Sequence, residues 1–485
     1  MLSKKIKMNQ IFIKTILILI GFYQSIGYSQ DSTSTWKWDV PEQTNEVLYI
    51  GTDTISKKAA PVIETDKWWE AFGYKELDSL IALALQNNED LKIAQARVEQ
   101  AIAQKRIAFS SLLPTLRLEP SVARQEFSAN RPNPFGGQLD RVTINTFDIP
   151  LTVNYELDVF GKNIDNVKAN RLAADATVES RKDILLQVIT EVAQNYFLLL
   201  QVDAEKDLLK ETEKTRLNNL EITTTRYEAG LVSQIDVLRA KTELSSVQVQ
   251  IKRIHKLRTE IELILAPLVG VDASNFSIHK TEISYMPPDL IFLEKDSLTA
   301  TRPDLKSAKL MFESSKSLVK NQWKQLLPSF YLNGAFGYLS GDSNNWIEND
   351  SRTWVAGVSA SLPIFEGGKK RAEIKLRKSE LKQAEAAYNQ NVLVSYRQVE
   401  NSISNIKWVH EQLLAQQEFV KAANNAAELT NERYRKGLIN YIDVVDAERQ
   451  ALEAEQLSVQ LFGQELKERV SLFKALGLLP DSVVE

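Results

Sequence analysis

The chain of 485 residues contains no cysteine, three histidines and four methionines. The first absence removes disulfides, thiolate metal ligands, thiol nucleophiles and a lipidated N-terminal cysteine, so no lipid anchor is expected. His255, His279 and His410 show no zinc-ligand spacing, and the scarcity of soft ligands leaves a dedicated copper or silver path without its usual donors. Long apolar runs are missing too. The longest is Ile16–Ile20, extended by Gly21–Tyr23, against the ~20 residues a membrane-spanning helix needs. Nor is there a large excess of charge of one sign: the formal net charge of −4 argues against nucleic acid as a partner. No Gly-x-Ser-x-Gly elbow occurs, and Pro363 stands where a phosphate loop ending in Gly368-Lys369 would have its first glycine. No catalytic constellation and no cofactor site are expected, so the chain does not read as an enzyme.

What is present begins with an address. Lys4, Lys5, Lys7 and Lys14 occur with no acidic residue before Asp31; an apolar core follows at Ile16–Phe22, then the small residues Ser25, Gly27 and Ser29. This is the three-part pattern of a secretory signal peptide over residues 1–29, and it implies export. Its removal would make the mature chain four charges more acidic.

The remainder is one unit written twice. Arg226-Tyr227-x-x-Gly230-Leu231-x-x-x-Ile235-Asp236-Val237 returns as Arg433-Tyr434-x-x-Gly437-Leu438-x-x-x-Ile442-Asp443-Val444 at an offset of 207. Leu268-Val269-Gly270 echoes Ala475-Leu476-Gly477 at the same offset. Asp90-Leu91-Lys92 through Leu113-Pro114 resembles Asp304-Leu305-Lys306 through Leu327-Pro328, and Leu157-x-x-Phe160-Gly161 resembles Leu362-x-x-Phe365-x-Gly367. A repeat of roughly 200 residues replaces the three domains that length alone suggests.

Each unit reads as helix, two strands, very long helix, turn, helix. Apolar residues at spacings of three and four predict helices over 76–112, 162–229 and 233–266, and again over 303–326, 366–436 and 440–477. Helix 162–229 would run ~100 Å, more than any globular core needs. The two shorter helices of the first unit together match its length, so they could lie end to end along it; the second unit does this less closely. Sustained stripes on such rods call for coiled-coil-like lateral packing.

Between the helices, Phe147, Ile149, Leu151, Val153, Tyr155 and Leu157 alternate with Thr146, Asp148, Pro150, Thr152, Asn154 and Glu156, and Trp354, Ala356, Val358, Ala360 and Leu362 alternate with Val355, Gly357, Ser359 and Ser361. Phe330, Leu332, Phe336 and Tyr338 share a face of a third strand, and a fourth, weaker one lies around Leu116–Val122. One apolar face and one polar face suit a membrane β-barrel, with the linking segments Ser128–Asp140 and Gly341–Ser351 as exposed loops. Four strands cannot close a barrel, and an open edge cannot face lipid. Copies of the chain must complete it: two would give a barrel too narrow for a wide channel, three would give twelve strands.

With the duplicated turn, Tyr155-Glu156-Leu157-Asp158-Val159-Phe160-Gly161, Arg302-Pro303-Asp304-Leu305, the two Leu-Pro strand entries and Trp68-Trp69, residues 66–480 resemble the TolC-like outer-membrane-factor family, in the branch serving resistance-nodulation-division efflux pumps. The resemblance implies a mixed, mainly α fold. In a homotrimer, a twelve-stranded outer-membrane β-barrel would continue into a long α-helical periplasmic barrel. It divides the chain into an N-terminal equatorial segment 30–75, a first repeat 76–270 with strands at about 115–158, an equatorial linker 271–302, a second repeat 303–478 with strands at about 329–365, and a tail 479–485. The function implied is a passive exit duct for a tripartite efflux system, working with a periplasmic adaptor and an inner-membrane pump and held in outer-membrane lipid. The alternative is a periplasmic coiled-coil scaffold or adaptor; four lipid-compatible strands split evenly between two repeats favour the duct.

The resemblance also implies roles for residues at the repeated turns. Asp443 and Asp446 match the carboxylates of the closed constriction. Tyr434 matches a tyrosine that links the inner helix pair to the outer, with Asp236 as its partner. Arg226, Tyr227, Gly230, Leu231, Arg433, Gly437 and Leu438 would form the periplasmic tips that dock the adaptor. Ile439 stands where the family has an arginine. The residues themselves also permit a purely local account: glycines ending helices, Ser233 and Asn440 as N-caps, and Asp236 and Asp443 completing capping boxes.

Overall fold

The computed structural model describes residues 67–281 and 301–480, with 133, 135 and 138 excepted. Residues 1–29, the N-terminal equatorial segment up to residue 66 and most of the equatorial linker lie outside the described residues.

A short 3-10 turn, Trp68–Phe72, leads into α1 (Lys75–Asn87) and α2 (Glu89–Ser110). The expected single helix over 76–112 is therefore two. Asn88 breaks it with an extended backbone, its side chain accepting from Leu91 N at 3.0 Å to cap α2 and donating to Leu268 O at 2.8 Å. The strands β1 (Thr115–Leu118), β2 (Ser121–Phe127) and β3 (Val142–Leu157) follow, then α3 (Lys162–Glu228) and α4 (Gln234–Leu268). The second half runs α5 (Pro303–Lys324), β4 (Ser329–Ser340), β5 (Arg352–Ser361), α6 (Lys369–Arg435) and α7 (Tyr441–Leu476). Helices α3 and α6 each hold 67 residues. At 1.5 Å per residue both span about 100 Å.

The shorter helices meet end to end beside them. At the first joint, Asn88 satisfies a carbonyl at the end of α4, and Gly270 packs so closely that a Cβ there would lie 2.5 Å from Asn87 O. At the second, Arg302 donates to Ala475 O at 2.7 Å, Thr301 donates to Leu476 O at 3.0 Å, and a Cβ on Gly477 would lie 2.7 Å from Arg302 Cα. Both glycines also have positive φ, 71° and 72°. The repeated Leu-Val-Gly and Ala-Leu-Gly are thus the same joint built twice. The largest core cluster lies here, where Trp68 stacks on Phe473 at 4.9 Å between ring centroids and Phe72 meets Phe197 at 4.9 Å.

The sheet is antiparallel. Strands β1 and β2 both pair with β3, then come β4 and β5. Register is continuous from β1 to β2, with Leu118 opposite Leu151 and Ser121 opposite Asp148. They form one strand interrupted at Glu119-Pro120, beside Pro150 of β3, where Glu119 N still donates to Pro150 O at 3.3 Å but neither proline has an N–H to give the ladder. The expected four strands are present in that sense. Cross-strand rows put Leu118, Leu151, Phe336 and Trp354 on one face, with Tyr155, Leu332 and Val358 on the same side. The other face carries Arg117, Thr152, Asn154, Asn333 and Ser359. Trp354, Val358, Leu116 and Phe336 are all more than half exposed, so the apolar face has no cover within the chain. Among the described residues no helix is long and apolar enough to cross a membrane.

Candidate functional site

The two repeated turns fold alike because the same residues close them alike. Gly230 and Gly437 both have φ of 74°. Leu231 N donates to Arg226 O at 2.9 Å and Gly230 N to Tyr227 O at 2.9 Å; Leu438 N donates to Arg433 O at 3.0 Å and Gly437 N to Tyr434 O at 2.8 Å. Each is a Schellman closure, which requires the left-handed conformation that glycine tolerates. Three residues on, Ser233 and Asn440 cap the next helices. Asp236 accepts from Ser233 N at 3.3 Å and Asp443 from Asn440 N at 3.2 Å, giving two capping boxes. Local chemistry therefore explains both glycines and both aspartates.

The Arg-Tyr pairs are used asymmetrically. Arg226 crosses to the other turn, where its guanidinium donates to Tyr434 O at 3.0 Å and Arg435 O at 2.7 Å and lies 4.6 Å from the Tyr434 ring centroid. A cation on the last carbonyls of α6 is favoured by the helix dipole as well. Tyr434 is 6% exposed and packs with Tyr441, Ala240, Val444 and Val445. Its repeat counterpart Tyr227 is 42% exposed, and Arg433 is exposed. Leu231 and Leu438 are 74% and 65% exposed. So Tyr227, Gly230, Leu231, Arg433, Gly437 and Leu438 stay on the tip surface, while Arg226 is committed within the chain.

The Tyr434–Asp236 link implied by the resemblance is not made. Asp236 is turned onto its own helix start and pairs with Arg239 at 3.5 Å, and Arg226 occupies the face of the Tyr434 ring. The Tyr434 hydroxyl is buried with no hydrogen-bond partner among the described residues. Ile439 packs into this apolar cluster, so it substitutes packing for the polar contact of an arginine. Asp443 and Asp446 are both exposed on the first turns of α7. Asp446 caps nothing, and its charge is felt by Arg449 on the next turn.

Two to three turns above the tips, the structure holds residues that sequence reasoning missed. Glu448 is buried between helices, ion-paired to Arg216 of α3, and accepts from Asn219 Nδ2 at 2.8 Å and Asn431 Nδ2 at 2.7 Å. Beside it, Arg449 pairs with Glu243 of α4, its Nε donating to Oε2 at 3.1 Å; that hydrogen bond raises the already high guanidinium pKa. Higher still, Gln456 donates to Gln250 at 3.1 Å, and burial pushes the neighbouring Glu205 carboxyl up against the pull of Arg253. Burial, with the Glu448 carboxylate nearby, also raises the Tyr441 hydroxyl, which stays neutral. The signal was available: Glu448 falls on the stripe of Val444, Val445, Ala451 and Leu452, where a charge has no solvent to face.

Replacing Arg226 with alanine is expected to free the end of α6. Amide exchange at residues 436–440 should accelerate about 100-fold or more, the equivalent of losing two hydrogen bonds from a charged group at about 1.5–3 kcal/mol each. Arg433→Ala should leave those amides unchanged; equal effects of the two substitutions would refute the asymmetry.

The chain as a whole is similar to known proteins. A family model described as outer membrane efflux protein matches residues 80–271 and 296–478. The pyoverdine export outer membrane protein OpmQ of Pseudomonas putida is 26% identical over 433 residues, covering 88% of this chain and 91% of its own length. The solvent efflux pump outer membrane protein SrpC of Pseudomonas putida is 26% identical over 415 residues, 84% of this chain and 86% of that one. Among solved structures, the Campylobacter jejuni CmeC outer membrane channel superposes with a TM-score of 0.80 at 25% identity, over 91% of this chain and 94% of that one. The Vibrio cholerae outer membrane protein VceC does so with a TM-score of 0.78 at 23% identity, over 84% and 98%.

Proposed function

The chain belongs to the outer membrane efflux protein family, and from that premise we propose that it is the gated, trimeric exit duct of a tripartite efflux system. The observation that carries the trimer is the sheet. Its apolar face runs across all four strand positions, and its outer strands, β1–β2 on one side and β5 on the other, have no further neighbour among the described residues. Open edges are not tolerated in lipid, so copies of the sheet must join edge to edge. Three copies give twelve strands and a lumen wide enough to conduct. The polar face lines that lumen, and the 67-residue helices continue it as a periplasmic tunnel.

The tunnel narrows at the turns. There Asp443 and Asp446 of three chains form a ring of six carboxylates that selects cations and keeps the resting conductance small. The exposed tip residues Tyr227, Leu231, Arg433 and Leu438 receive a periplasmic adaptor, through which an inner-membrane pump delivers its cargo. The duct moves nothing by itself; it supplies a path.

The test is extraction, mass and conductance on one preparation. The protein should stay with membranes in carbonate, run at three times the chain mass when unboiled, and form small cation-selective channels in planar bilayers. A protein that washes off, runs as a monomer and forms no pores would instead be a periplasmic scaffold.

A further inference from the structure

We propose that the outer rim of the sheet's apolar face binds the phosphates of the outer-leaflet glycolipid at the joints between copies of the chain, an inference that rests on the exit-duct reading. The chain itself sets which end of the sheet is outermost. β3 ends at Leu157 and the long helix α3 begins at Lys162, so that end adjoins the tunnel and the Val142 end is the outer one. On the apolar face β3 presents Phe147, Ile149, Leu151, Val153, Tyr155 and Leu157. At ~3.3 Å per residue this run is ~33 Å long, and a barrel tilt of ~40° leaves ~25 Å of height, the thickness of an apolar membrane band.

Two arginines stand at the outer end of this band, on the same face. Val122 lies opposite Phe147 and Arg124 opposite Asn145, one row farther out; Arg352 opens β5 opposite Tyr338, which lies opposite Ile149. Both arginines are exposed. Among the described residues no carboxylate pairs with either, those of the adjoining loop (Asp342, Glu348 and Asp350) included. Arg141, just before β3, is engaged by Glu126 at 3.4 Å. A lipid-facing charge is costly at mid-depth and nearly free at the boundary, and Trp354, 76% exposed two residues below Arg352, has the place of a boundary aromatic. The choice of cation is informative. From residue 115 to 161 and from 329 to 366 every cation is an arginine (Arg117, Arg124, Arg131, Arg141 and Arg352), while lysines resume at Lys162 and Lys369. A guanidinium grips phosphate through two parallel N–H donors, which an ammonium does not. The outer leaflet of an outer membrane is glycolipid that carries phosphates at this depth. Arg124 and Arg352 also lie on the sheet's two outermost strands, β1–β2 and β5. When copies join edge to edge, β5 of one lies beside β1–β2 of the next, and the two arginines flank one joint. A glycolipid held by both bridges two copies.

The experiment uses full-length, detergent-extracted oligomer and purified deep-rough lipopolysaccharide. Two quantities are read: lipopolysaccharide retained through size exclusion, and the melting temperature of the unboiled high-mass band. The proteins are wild type, the double variant Arg124→Gln/Arg352→Gln, and Arg117→Gln as control, since Arg117 lies on the polar face. Wild type should retain the lipopolysaccharide and melt several degrees higher with it. The double variant should bind at least about tenfold more weakly and lose the rise in melting, as expected when charge-assisted hydrogen bonds to phosphate are removed. Arg117→Gln should match wild type. Wild type given enzymatically dephosphorylated lipopolysaccharide should behave as the double variant does, and this comparison decides alone if the double variant fails to assemble. Equal retention by the double variant and wild type overturns the proposal, as does equal binding of the dephosphorylated form. Equally effective competition by phosphatidylglycerol or by inorganic phosphate overturns it too, because the rim would then be a general anion surface. Phosphate-dependent binding with no rise in melting removes the glycolipid from the joints. A protein that washes off membranes as a monomer defeats the exit-duct reading itself; a membrane-held oligomer that fails these comparisons defeats this inference alone.

Discussion

Gly337→Ala should abolish the assembled oligomer. Gly337 lies opposite Pro150 in the ladder between β4 and β3. A Cβ at 337 would sit 2.1 Å from Ile149 O and 2.9 Å from Pro150 Cα. Those are backbone atoms, which cannot swing aside as a side chain can. Relief requires parting the two central strands, at a cost of upward of ~3 kcal/mol per chain. In a closed barrel of several copies that cost recurs in each. The readout is the unboiled high-mass band and its resistance to protease. Gly357→Ala is the matched control, because no atom lies within 4 Å of the Cβ it would add. Equal amounts of oligomer from the two variants would show that the sheet tolerates the separation.

The second large effect concerns conductance. If the turns form the proposed constriction, Asp443→Ala with Asp446→Ala should raise single-channel conductance several-fold and weaken block by divalent cations by about tenfold or more, since six carboxylates would leave a narrow ring. The two aspartates are not equivalent. Asp443 also completes the capping box of α7, so its loss should cost ~1 kcal/mol of tip stability whatever it does to ions. Asp446 has no cap to lose. Asp446→Asn alone should therefore carry the electrostatic part of the effect with little change in melting. A double variant with unchanged conductance and unchanged block would remove the carboxylates from the constriction.

Much of this arrangement is written in local patterns. The long helices announce themselves by unbroken stripes without proline, and the turns by glycine followed three residues later by a cap. The strands show as period-two alternation in β3 and β5. What escaped is what local patterns do not encode. The stripe of α1 continues into α2, so only the polar Asn88-Glu89-Asp90 start marks the break, and its meaning depends on Leu268 arriving from 180 residues away. The interruption between β1 and β2 depends on Pro150 in a partner strand. The resemblance assigned Tyr434 to Asp236, yet both turn elsewhere, because Arg226 crosses the seam and Asp236 closes its own turn. Arg216 and Glu448 read singly as ordinary helix charges; only their shared burial makes them a pair.

The end-to-end joints at Asn88 and Arg302 have a mechanical consequence. Beside each unbroken rod stands a column cut in two at the same height. A cut column carries compression well and bending poorly, so its stiffness is lowest at the cut. Any displacement of the tips should be taken up as a tilt at that level, with the rods flexing and the lower pieces leaning. The sheet, on the far side of the cut, would then feel little of it. A duct so built can move one end while the other stays sealed in its bilayer.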